Sequence, residues 1–208
     1  MRVCCFIILS VFLFLIASSP LYAENIHHHV PFVSHINDPV YGPDYWLGMN
    51  VDNNGVTEIR NKFESEHPEW VLKNRADSHI TVITPPEYQT ILKPYLTPRA
   101  IDKIAISAHI QRSHFKVICI GRGDAYDNNK QLQTYFLVVA SPDLIKVRKK
   151  IFDAYVRNGG DPSHFDPYNF MPHITFAFTD RDLFEGDGVY KQRNSCIKHV
   201  SYLLENDV

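Results

Sequence analysis

His79-Ile80-Thr81-Val82 and His173-Ile174-Thr175-Phe176 are two copies of one pattern, an imidazole and a hydroxyl separated by an apolar residue, and they lie 94 residues apart. One His-x-Thr carries no information: with 11 histidines in 208 residues, chance alone supplies about 0.4 copies. Two copies arise by chance in roughly 5% of such chains, and requiring each to open a β-run lowers that several-fold. An imidazole with an ordinary pKa near 6.5 serves as a base when neutral and as an acid when protonated. Two hydroxyls beside the imidazoles can hydrogen-bond the non-bridging oxygens of a phosphate. Cleaving a cyclic phosphodiester needs a base for the attacking water and an acid for the departing oxygen, on opposite sides of phosphorus. Opposed His-x-Thr pairs supply that set without a metal. The bland alternative is two core histidines bonded to neighbouring carbonyls, with threonines chosen for β-propensity.

Strands explain the spacing. Side chains alternate between the faces of a strand, so His79 and Thr81 share one face while Ile80 and Val82 share the other. The same holds for His173 and Thr175 against Ile174 and Phe176. The apolar pairs can pack under helices, whereas the polar pairs need water, partners or a ligand.

The surrounding pattern supplies such strands. Residues 45–51, 78–84, 115–120, 132–140, 172–178 and 195–203 read as strands, the third closed by Gly121-Arg122-Gly123. Asp52-Asn53-Asn54-Gly55 reads as a turn, followed by a helix to about Glu66. Residues 87–95 and 98–107 read as short helices. Ser141 caps a further helix that starts at Pro142 and runs to about Arg157. Each half is then strand–helix–strand, and a pseudo-twofold would set the two polar pairs across a cleft.

These motifs and their flanks, Asp77–Tyr88 "DSHITVITPPEY" and Phe170–Phe176 "FMPHITF", resemble the two-histidine (2H) phosphoesterase superfamily, and the first is similar to its Swiss-army-knife RNA-repair-like branch. The resemblance spans roughly residues 45–203. It implies an α+β fold of bilobal, duplicated β-rich units with flanking helices, the two H-x-T strands facing a central cleft. It further implies a hydrolase, a metal-independent phosphodiesterase with no cofactor, acting on small cyclic phosphodiesters, 2'-5' linkages or RNA-terminal phosphates. His79 and His173 would be the acid–base pair, in an order the sequence leaves open, and Thr81 and Thr175 would hold the phosphate. Two other readings stand beside it: a non-catalytic nucleotide or RNA-end binder on the same scaffold, and an exported His-rich metal binder using His27-His28-His29.

Composition narrows the partners. Hydrophobic residues are 45% and charged residues 21%, which suits one soluble globular domain and excludes a disordered chain. A formal charge of -2 lacks the field of a long-duplex nucleic-acid binder, so the expected partner is a small phosphorylated substrate met by a monomer. Arg2, the apolar run from Val3 to Ala17 and the small residue Ala23 read as a secretory signal peptide over 1–23, with an arm over 24–43 and the domain over 44–208. That implies a secreted or periplasmic protein with no membrane contact after signal removal. Cys119 and Cys196 would be its two mature cysteines, able to pair in an oxidising compartment or to remain reduced. Lys146, Arg148, Lys149 and Lys150 read as a solvated helix face. Tyr45, Trp46, Tyr88, Tyr135, Tyr168 and Phe170 read mainly as core, with Tyr168 and Phe170 the best candidates for stacking on a base.

Overall fold

A computed structural model describes residues 30–38 and 42–203, apart from the side chains of 199–203. The segment read as a signal peptide and the histidine triplet lie outside the described residues. The chain forms strands β1 (Leu47–Val51), β2 (Ser78–Ile83), β3 (Lys116–Asp127), β4 (Lys130–Ala140), β5 (His173–Phe178) and β6 (Cys196–Leu203). Its helices are α1 (Asn53–Ser65), α2 (Pro85–Glu87), α3 (Pro98–Ser107) and α4 (Pro142–Arg157). The fold is mixed α+β with antiparallel sheets.

Each half contains the expected strand–helix–strand unit: β1–α1–β2, with β1 antiparallel to β2, and β4–α4–β5, with β4 antiparallel to β5. The sheets are unequal, however. The first has two strands, whereas the second has four in the order β5-β4-β3-β6. The long β3–β4 hairpin and the returning β6 belong to the second half alone, so the two units are not matched lobes. A pair of backbone hydrogen bonds joins the segment before β2 to the end of β5, Lys73 N to Phe178 O at 2.8 Å and Phe178 N to Lys73 O at 2.9 Å. One core runs through both sheets: Phe63 of α1 packs on Tyr135 of β4 and Phe176 of β5, with ring centroids 5.0 and 5.4 Å apart.

Several local readings change. Asp52 is a helix cap, not part of a turn: its carboxylate accepts from Asn54 N at 2.9 Å, and Val56, Ile59 and Phe63 form the buried stripe that follows. The helix expected over 87–95 is a single turn, α2, widening into a π-helical turn over Tyr88–Leu92. Gly121 and Gly123 do not close β3, which continues to Asp127. A Cβ at Gly121 would lie 2.4 Å from the Phe136 ring, and one at Gly123 would lie 2.2 Å from Val189. The glycines admit these neighbours instead of ending the strand. The arm is not loose where it is described: Gln111 Nε2 donates to Val30 O at 2.9 Å, and His35 is buried and stacked on Trp46.

Arg148 is the largest correction. It is not part of a solvated face but lies on the buried side of α4, 1% exposed. Its guanidinium donates to Glu87 Oε1 at 2.8 Å, to Val82 O at 2.7 Å and to the carbonyls of Asp166, Pro167 and Asn169. The same helical period that buries Leu144, Ile151 and Tyr155 also turns position 148 inward. A buried guanidinium is tolerated there because its donors are spent on a carboxylate and on carbonyls that helix and sheet leave unpaired. Cys119 and Cys196, on neighbouring β3 and β6, form a disulfide with Cα atoms 5.7 Å apart.

Candidate active site

The alternation expected of the motif strands is present in both. Ile80 and Val82 on β2, and Ile174 and Phe176 on β5, are buried, whereas His79, Thr81, His173 and Thr175 remain partly open. Each buried apolar side chain stabilises its strand by roughly 1.5–3 kcal/mol, which fixes the face that the polar pairs present. Strands β2 and β5 lie against each other. The two imidazoles are close enough that charge on His79 disfavours charge on His173.

Each imidazole is held through Nδ1 by the residue two positions before it. His79 Nδ1 donates to Asp77 Oδ2 at 2.9 Å, and His173 Nδ1 donates to Met171 O at 2.7 Å. Carboxylates and carbonyls only accept, so Nδ1 carries the proton in both rings. Burial lowers the pKa of His79 below 6.5, opposed by the Asp77 carboxylate and assisted by Arg75 and His35. Burial also lowers that of His173, to about 3, and the Lys191 ammonium pushes the same way. The His79 side chain is 10% exposed, and the Trp46 ring lies 4.5 Å from it, centroid to centroid. His35 stacks on that indole at 3.6 Å.

The two hydroxyls differ. That of Thr81 makes no hydrogen bond among the described residues. Thr175 Oγ1 accepts from Lys191 Nζ at 3.0 Å and donates to Asp182 Oδ2 at 3.1 Å. Asp182 is buried and collects four further donors: Thr134 Oγ1 at 2.6 Å, Lys191 Nζ at 2.7 Å, Leu183 N at 2.8 Å and Arg75 at 2.9 Å. These attractions outweigh desolvation and hold its carboxyl below the usual range. The loop carrying Asp182 and Lys191 is pinned by Leu183 and Val189, which pack against Leu132 of β4. The Arg181–Asp187 ion pair, at 2.6 Å, closes it further.

Sequence reasoning found the two histidines and two threonines but missed Asp77, Arg75, Asp182 and Lys191. Asp77 stood in the quoted flank, two residues before His79. Asp182 and Lys191 follow no spacing rule, because loop packing alone sets their approach. Of the aromatic candidates, Tyr45, Trp46, Tyr88 and Tyr135 are buried and Tyr168 is exposed. A cavity of about 250 Å³ between the ends of α3 and α4, lined by His109, Arg112, Asp143, Lys146 and Lys150 among others, contains none of the motif residues.

Two histidine–hydroxyl strands lie against each other in an α+β domain, with buried charge behind one of them. Residues 45–184, more than half of the chain, match the family model described as Swiss Army Knife, 2H phosphoesterase domain. The protein belongs to this 2H phosphoesterase family, and membership implies a hydrolase with phosphoesterase-type activity. The chain matches no curated protein and no solved structure.

Proposed function

We propose that the protein is a phosphodiesterase that hydrolyses small cyclic phosphodiesters, 2'-5' linkages or RNA-terminal phosphates by two-histidine acid–base catalysis, with no metal required. The observation that carries this reading is the matched anchoring of His79 and His173 through Nδ1, on two strands that lie against each other. Thr81 and Thr175 hold the phosphate. Thr175 has one hydroxyl proton, spent on Asp182 through the longest of that carboxylate's five hydrogen bonds. Turning this proton to a phosphate oxygen leaves Asp182 with four donors, so the substrate can claim it at small cost.

Export fits the same reading. A disulfide between Cys119 and Cys196 persists in an oxidising compartment and supports secretion or a periplasmic location. The substrate is then a phosphoester met outside the cytoplasm.

The test is incubation of the protein with a panel of 2',3'-cyclic and 2'-5' linked nucleotides, followed by phosphorus NMR. Turnover of at least one member is expected, with His79→Ala and His173→Ala each lowering it about 10²-fold or more and EDTA leaving it unchanged. Loss of activity in EDTA, or full activity in either histidine variant, would overturn the assignment.

A further inference from the structure

Lys191 lies beyond the residues that match the family model, and neither motif contains it. Its side chain is 3% exposed and sits between two rings, its Nζ 5.5 Å from the centroid of Phe136 and 5.1 Å from that of Phe184. Asp182 Oδ1 at 2.7 Å and Thr175 Oγ1 at 3.0 Å accept its hydrogen bonds. Taking an ammonium out of water is unfavourable, and Asp182 offsets that for Lys191. Arg75 shares the same carboxylate at 2.9 Å. The Asp187 carboxylate also attracts Lys191, yet the Lys191 ammonium still opposes charge on His173.

We propose that Lys191, seated by Asp182 behind Thr175, is the positioning residue that gives the two-histidine site its direction, holding His173 as the neutral base and leaving His79, backed by Asp77, as the acid. The inference rests on the phosphodiesterase reading for its chemistry and on the geometry for its direction. The groups that face His173 are Lys191, Asp182, His79, the Met171 carbonyl and the Phe136 ring. Met171 fixes the neutral tautomer with its lone pair on Nε2. Lys191 opposes a second proton there, and Asp182 opposes Lys191 only in part because Arg75 also draws on it. At His79 burial opposes imidazolium most, Arg75 and His35 add to that, and the Asp77 carboxylate favours it. The Asp77 carboxylate and the Lys191 ammonium therefore push the two rings in opposite directions.

The step balances. A water oxygen forms the new bond to phosphorus, and its proton passes to His173 Nε2. The bond from phosphorus to the departing oxygen breaks, and that oxygen takes the Nε2 proton of His79. The two rings end with exchanged protonation and reset through solvent. Lys191 also occupies a lone pair of Thr175 Oγ1, so the hydroxyl proton has only Asp182 or the phosphate to go to.

The test compares the intact protein with Lys191→Met, which keeps the bulk and removes the charge, and Lys191→Arg, which restores charge. Imidazole titration by NMR without substrate is expected to show the His173 pKa rising by about one unit in Lys191→Met and returning toward wild type in Lys191→Arg. In kcat/KM profiles the acid limb moves up by the same amount while the alkaline limb stays. An unmoved His173 titration overturns the proposal, and so does movement of the alkaline limb alone, which would reverse the roles. If Lys191→Met does not fold, Asp77→Asn decides direction: the alkaline limb moves down, and movement of the acid limb instead overturns the assignment. A wild-type protein inactive on every phosphodiester would defeat the phosphodiesterase reading, whereas the substrate-free titration still decides what Lys191 does to His173.

Discussion

His79 Nδ1 lies 2.9 Å from the carboxylate of Asp77, whereas the matching contact of His173 is to a neutral carbonyl, that of Met171, at 2.7 Å. The two rings share an anchoring geometry and differ in the charge behind it. On the proposed two-histidine mechanism, that difference would make the two rings unequal as proton carriers.

The pH dependence follows from this asymmetry. As the acid, His79 must be protonated, and burial has lowered its pKa from 6.5, so kcat/KM declines as pH rises through that lowered value. As the base, His173 must be neutral, and its pKa of about 3 confines the acid-side loss to strongly acidic solution. The maximum is expected on the acidic side of 6.5. Asp77→Asn retains a hydrogen-bond acceptor but removes the charge, so activity at neutral pH should drop about tenfold. A pH–rate profile of both proteins checks this, and a maximum well above neutral would contradict it.

The two threonines should separate in stability while agreeing in activity. Thr81→Val removes a hydroxyl with no partner among the described residues and should leave the melting temperature within a degree or two, by the usual size of such surface changes. Thr175→Val leaves Asp182 and Lys191 each short of a buried partner and should cost about 1–3 kcal/mol. Both should lower kcat/KM by about 10-fold or more, as loss of a phosphate contact does. Calorimetry and steady-state kinetics on the pair read the two effects apart.

Arg148 ties the end of β2 to the loop that leads into β5, through Val82 O on one side and the carbonyls of Asp166, Pro167 and Asn169 on the other. Arg148→Met would take the guanidinium from Glu87 Oε1 and from those carbonyls, and about 3–5 kcal/mol of unfolding free energy should be lost. Because the same side chain spaces the two motif strands, kcat should fall as well, even at temperatures where the variant is folded. Urea unfolding, with activity measured on the native baseline, tests both.

Reduction of the Cys119–Cys196 bond should lower stability by about 2–4 kcal/mol, since the bridge spans 77 residues. It also anchors β6 immediately after the loop that carries Lys191. Cys119→Ser with Cys196→Ser should therefore show a lower urea midpoint than the oxidised protein and be indifferent to dithiothreitol.

Alternation was the legible part of this protein. His-x-Thr on a strand must place imidazole and hydroxyl together, because side chains alternate, and the apolar residues between them must go inward; the buried Ile80, Val82, Ile174 and Phe176 meet that requirement. The α4 boundaries were equally readable, since Ser141, Pro142 and the Asn158-Gly159 stop act through local backbone chemistry. Cues of this kind fail where a neighbour distant in sequence sets the conformation. Gly121 and Gly123 looked like a terminus and instead make room for Phe136 and Val189. Arg148 looked solvent-facing because its carbonyl partners are up to 66 residues away.

The sequence by itself determined which residues share a strand face and therefore which four side chains could form the site. Only the tertiary structure decided what stands behind them: Asp77 at one ring, and Lys191 with Asp182 and Arg75 at the other. Charges act through space across a low-dielectric interior, so the electrostatics of each histidine depend on approaches between loops that no pattern along the chain encodes.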